Sequence, residues 1–135
     1  MTRQEAQSQW EKIVDKGFYN YATLTRDERV WFNLEPLANG GIIDNYINNG
    51  GEHNLDTIQD LNYLGFNDVA QLMMKINKLF KKGYPPTEIN ERNDEIESWG
   101  EKYNLFLDEY ENIFWSRSAD LEKALVIHIN CMTFG

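Results

Sequence analysis

The feature that most constrains this chain is the run Val69, Leu72, Met73, Ile76 and Phe80, apolar residues spaced i, i+3, i+4, i+7 and i+11. An α-helix turns once in about 3.6 residues, so this spacing gathers all five on one stripe, whereas a strand would scatter them over two faces. Shorter stripes of the same kind recur at Trp10, Ile13 and Val14, at Val30, Trp31 and Leu34, and at Leu55, Ile58, Leu61 and Leu64. Two more lie toward the end, one through Tyr103, Phe106, Leu107, Tyr110 and Phe114, the other through Leu121, Ala124, Leu125 and His128. No segment sustains the period-two alternation of a half-buried strand. The expectation is an all-α fold, a single domain over residues 1–135 built of seven to eight short helices. Seven Phe, seven Tyr and four Trp in 135 residues give such a domain ample surface to bury. Trp31, Leu72, Ile76, Phe80, Phe106, Leu107, Tyr110 and Leu125 are the expected core.

Local signals place the helix ends. A first helix over 3–16 stops at Gly17, and an aromatic connector follows to Thr23. Thr25 with Glu28 three residues on is a capping box for the next helix, which Pro36 should kink or end. Asn39-Gly40-Gly41 and Asn48-Asn49-Gly50-Gly51 read as turns. The first is expected to need positive φ at a glycine, which would make Asn39, Gly40 and Gly41 structural. Asn54 or Asp56 can cap a helix stopping near Gly65, and Asn67 the striped helix, which should run to Gly83. Tyr84-Pro85-Pro86 is a linker, after which Thr87 opens a polar helix with Ile89, Ile96 and Trp99 inside. A turn at 116–118 divides the last two helices, and the tail 133–135 should fray.

Chemistry-bearing constellations are missing. Neither glycine pair is followed by the Lys-Ser/Thr of a phosphate-binding loop, and the two histidines form no metal-binding motif. His53 reads as an exposed spectator in a polar turn and His128 as a partly buried side chain on an apolar face. Cys131, the single cysteine, has no basic helix start nearby to activate it and reads as inert. No enzyme activity, cofactor or metal is expected. The first ten residues are too polar for a secretory signal, and no apolar run approaches the ~20 residues of a membrane helix. A cytoplasmic protein without membrane contact is the resulting expectation.

Charge is the one compositional signal that speaks to function. The net charge of −9 is unevenly placed: residues 86–135 hold 11 acids against 4 bases. Direct contact with nucleic acid needs clustered Lys and Arg and is disfavoured, whereas a basic partner is favoured. Glu88, Glu91 and Glu95 lie at i, i+3, i+7; Asp94, Glu97 and Glu101 repeat that spacing; Asp108, Glu109 and Glu111 add a third group. These nine acids are the candidate partner-binding surface, and as outer strips they should not be needed by the fold. Three carboxylates in seven residues give one charge per ~5 Å of helix, against one per ~1.7 Å of duplex DNA. Imitating a duplex would therefore require strips that converge on one surface, or two subunits of a homodimer aligning theirs.

An ordered series of short motifs resembles the bacterial DNA-mimic protein family. It runs Leu24-Thr25, Glu28-Arg29, Asn39-Gly40-Gly41, then Asn48 with Gly50-Gly51, and on through Leu61, Leu64-Gly65, Ala70, Leu72-Met73 and Leu79-Phe80. Leu107-Asp108-Glu109 and Asp120-Leu121 continue it, so the likeness covers about residues 24–129. The resemblance implies an all-α, non-enzymatic protein whose acidic surface occupies the DNA-binding face of a transcription regulator. The other reading of the residues is a general interaction module, of the immunity or adaptor kind, whose acids serve solubility. More remote is an enzyme with its chemistry near the two Asn-Gly-Gly-like turns.

Overall fold

Seven α-helices and two short 3-10 turns make up the computed structural model, which describes residues 3–132. The helices are α1 (Arg3–Tyr19), α2 (Arg26–Gly40), α3 (Ile42–Ile47), α4 (Asn54–Tyr63), α5 (Asn67–Asn77), α6 (Ile89–Ser98) and α7 (Asn104–Cys131). The 3-10 turns span Tyr21–Thr23 and Asn49–His53. Among the described residues there is no strand, and no helix is long and apolar enough to cross a membrane.

One core unites α2, α4, α5 and α7. Val30, Leu34, Leu37, Leu61, Val69, Met73, Phe114 and Leu121 are wholly excluded from solvent, and Ile13 brings in α1. The stripe that opened the sequence reading lies inside it, with Phe80 stacked on Tyr46 at 5.9 Å and edge-on to Trp99 at 4.9 Å. Phe106, Leu107 and Tyr110 are only half-buried, contrary to expectation, because the first turns of α7 pack at the rim of this core. Between α2 and α4 lies an ion pair with a buried acid: the part-exposed Arg29 guanidinium donates twice to Asp60 Oδ1 (2.7 and 3.2 Å), and Asn33 donates to Oδ2 (3.0 Å). Asp60 is wholly buried, and these bonds replace the water it lost.

Several helix ends differ from expectation, each for a local reason. Helix α1 runs past Gly17 to Tyr19, since Gly17 makes room for the Phe32 ring rather than a stop; a Cβ there would lie 2.3 Å from Phe32 Cε2. Pro36 neither ends α2 nor prevents it reaching Gly40; it is solvent-exposed, where water can take the carbonyl that proline leaves unpaired. Asn39 and Gly40, expected in a turn, are the last residues of α2, and Gly41 alone makes the break. Asn54 and Asn67 each begin a helix without capping it, and the Asn54 side chain instead accepts from Asn77 (2.7 Å). Helix α5 stops at Asn77, short of Gly83, and a turn carries Phe80 into the core. The cap of α6 is Glu88 rather than Thr87.

The largest correction is α7, a single 28-residue helix where two short ones separated by a turn were expected. The serines of 116–118 fit inside it because their hydroxyls donate to carbonyls three residues back, Ser116 to Ile113 (2.6 Å) and Ser118 to Trp115 (2.9 Å). The tail 133–135 lies outside the described residues.

Candidate functional site

The residues of the family-like signature build the scaffold. Thr25 and Glu28 form the expected capping box: the Glu28 N–H donates to Thr25 Oγ1 (3.2 Å) and the Thr25 N–H to Glu28 Oε1 (2.9 Å). Lys16 reaches the same carboxylate oxygen (2.9 Å) and ties α1 to α2. Burial works against that charge, but the Thr25 N–H and the Lys16 ammonium outweigh it and hold the Glu28 carboxyl below its ordinary value.

Both glycine pairs are seats for charged side chains from distant helices. Gly41 lies at φ 92°, ψ 176°, a conformation left essentially to glycine, and a Cβ on it would sit 2.1 Å from Glu111 Oε1. That opening lets Glu111 accept a hydrogen bond from the Ile43 N–H (2.9 Å) at the start of α3, where unpaired amides and the helix dipole favour a carboxylate. Gly51 performs the same service for Arg92, whose Nε would lie 2.5 Å from a Cβ there; Gly50 packs on the buried Asn45 amide.

Arg92 is the residue that sequence reasoning missed. It is wholly buried and has no carboxylate against it. Its guanidinium instead donates to four backbone carbonyls: Tyr46 (2.6 Å), Asn48 (2.7 Å), Pro86 (2.9 Å) and Thr87 (3.0 Å). Tyr46 and Asn48 belong to the C-terminal end of α3, whose free carbonyls attract a cation. Desolvation lowers the Arg92 pKa, and Glu52 and Glu88 partly restore it. Its spacing from Ile89, Ile96 and Trp99 places it on the inner stripe of α6, the only sequence signal that could have found it.

The nine candidate acids fall into two groups. Three are engaged by the backbone, contrary to the expectation that none is needed by the fold. Glu88 accepts from the Asn90 and Glu91 N–H groups (3.0 and 2.8 Å) and so caps α6. Glu95 accepts from the Lys81 N–H (2.6 Å), and Glu111 caps α3. The other six, Glu91, Asp94, Glu97, Glu101, Asp108 and Glu109, are exposed. Every ion pair among the described residues uses an acid outside 88–111, so none of the nine has a cation against it. Glu91, Asp94 and Glu97 follow one another at three-residue intervals on the outer side of α6, opposite Arg92. Ile96 and Trp99 of the α6 region and Leu107 of α7 line one apolar crevice with Ile76 and Phe80, while α6 itself packs on α3 and the Asn49–His53 turn. On the far side of α6, Lys81 and Lys82 share an open cleft of about 720 Å³ with Glu88, Glu91, Asp94 and Glu95.

The remaining candidates have structural surroundings. His53 is half-buried rather than exposed, stacked on Tyr21 with ring centroids 3.6 Å apart, and this burial lowers its pKa despite Glu52 and Asp56 nearby. His128 is partly buried, with Nε2 3.1 Å from the Asp27 carbonyl. Cys131 is exposed. Among the described residues no group of three or more His, Cys, Asp or Glu side chains could hold a metal ion.

Compared with known proteins, residues 22–131 match the model of one family, described as DMP19-like protein. No curated protein and no solved structure matches the chain.

Proposed function

Because the chain belongs to the DMP19-like family, we propose that it is a DNA mimic, binding a basic DNA-binding protein in competition with DNA and performing no catalysis. The observation that carries this reading is the row of exposed, unpaired carboxylates on α6; Asp108 and Glu109 are exposed on α7 as well. Elsewhere the acids are mixed, Glu28, Asp60 and Asp68 with a Lys or Arg within 4 Å and Asp44, Glu52 and Glu122 without, so it is concentration on one short helix that sets α6 apart. A surface evolved only for solubility gains nothing from concentrating like charges on one short helix, since mixed signs serve as well and repel less.

Spacing supports the same reading. At ~1.5 Å rise per residue, Glu91, Asp94 and Glu97 present one charge per ~4.5 Å, close to the ~3.4 Å per phosphate of a single DNA strand. Helix α6 thus stands in for one strand. The partner would be a transcription regulator in the cytoplasm, its DNA-binding face the surface engaged.

The test is capture of partners from host lysate on the immobilised chain, followed by salt and DNA challenges on each retained protein. A DNA-binding protein is expected, released as salt rises through the range where Debye screening shortens to ~8 Å, and displaced by its own duplex. Retention of a partner insensitive to both salt and duplex would favour the interaction-module reading and refute this one.

A further inference from the structure

Helix α6, which carries the exposed acids, contributes little to the core. Among its described residues only Arg92 is buried, with Ile96 half-buried beside it. Bends at Gly83 (φ 82°) and Gly100 (φ 55°) stand on either side of it, both exposed to solvent. Ile96 and Trp99 pack against the core at its C-terminal end, and the rest of what ties this short helix down is polar: the four carbonyls held by Arg92, a bond from Asn93 Nδ2 to the Ile47 carbonyl (3.0 Å), and the Glu95 contact to Lys81. Arg92 dominates, since one planar fork joins the end of α3 to the strand of chain that enters α6.

We infer that Arg92 is a positioning residue for the acidic face: seated in the Gly50-Gly51 turn, it fixes α6 on α3 so that Glu91, Asp94 and Glu97 meet a basic partner as a preorganised row. This rests on the DNA-mimic reading and deepens it. Preorganisation matters because carboxylates on a loosened segment would repel one another apart and pay the ordering cost on binding. The second glycine turn then has a role in recognition at one remove: a side chain on Gly51 would displace the guanidinium and release the helix, without any acid being touched.

The experiment compares wild type with R92M and R92K by amide hydrogen exchange, and by affinity for an oligo-arginine peptide as the basic probe. In R92M, amides of Ile89–Ser98 should exchange roughly tenfold faster or more while those of α2 and α5 keep their protection. Peptide affinity should fall in parallel, although all nine acids remain. R92K, which keeps the charge but loses the planar fork, should restore part of both. Unchanged α6 protection in R92M would overturn the inference, as would protection lost equally across α2, α5 and α6, which would make Arg92 general glue. Should R92M not fold, R92K alone decides: partial loss confined to α6 supports the inference, and protection equal to wild type overturns it. Wild type failing to bind the peptide would refute the mimic reading itself, and the recognition role of Arg92 with it. Equal peptide affinity in a variant whose α6 has lost protection would refute the positioning role alone.

Discussion

Replacing Gly41 by alanine asks whether the break that Gly41 alone makes after α2 is structural, and Gly40, the last residue of α2, supplies the control. Alanine at φ 92°, ψ 176° occupies a region that costs ~1–3 kcal/mol for a residue with a Cβ. The same Cβ would fall 2.1 Å from Glu111 Oε1 and 2.9 Å from Trp115 Cζ2, so the carboxylate must leave the Ile43 N–H. Losing a side-chain cap costs a further ~0.5–2 kcal/mol. G41A should therefore destabilise by ~1.5–5 kcal/mol, a large part of the ~5–15 kcal/mol that holds a domain folded. Gly40 differs in both respects: it is not among the glycines at positive φ, and its Cβ would meet only the exposed Asp44 side chain, which can turn aside at the cost of a surface bond from Asn48. G40A should stay within ~1 kcal/mol of wild type. Urea unfolding followed by far-ultraviolet circular dichroism measures both, with unchanged slopes certifying a change in stability. In an E111A background the G41A penalty should shrink by the cap contribution, because the two sites share one contact. A G41A loss under ~1 kcal/mol, or a G40A loss as large as G41A, would refute the reasoning.

Two further outcomes follow from the core and the capping box. F80A should cost ~3–5 kcal/mol in the same urea assay, since its ring is buried between Tyr46 and Trp99; near-wild-type stability would show that the stripe is not core. The Glu28 carboxyl titrates lower folded than unfolded, so its stabilisation is complete above its ordinary value of 4.5 and is lost as pH falls through the lower folded value. Wild type should therefore lose stability faster than E28Q as pH drops below 4.5, and parallel pH curves would count against the Lys16–Glu28–Thr25 contact.

What could be read from the sequence was whatever is local. The α5 stripe and the Thr25–Glu28 box show because their members stand three or four residues apart, and helical geometry alone brings them together. Glu111 looked like one more surface acid because the N–H it caps is 68 residues away, and no periodicity announces that contact. Arg92 was harder still. Its partners are backbone carbonyls, which every residue carries, so the side-chain pattern holds no trace of them. The Gly50-Gly51 pair was visible as a turn, but the reason for Gly51, space for a guanidinium 41 residues on, belongs to the tertiary structure. The serines of 116–118 misled in the opposite direction, since hydroxyls that favour turns can also bond back along a helix. The acids of α6 were legible as a strip; which of them the backbone engages was not.

The central claim is that the unpaired carboxylates of α6 are the surface that meets a basic DNA-binding partner. The most direct measurement is the affinity of that partner for wild type and for the triple variant E91K/D94K/E97K at low and at moderate salt. These three acids are exposed and make no ion pair, so the variant should keep its helicity and its urea midpoint. Low-salt affinity should fall by more than about tenfold, chiefly through a slower association rate, and the gap should narrow as salt rises. Equal low-salt affinity for the two proteins would contradict the claim and leave these acids as solubility residues.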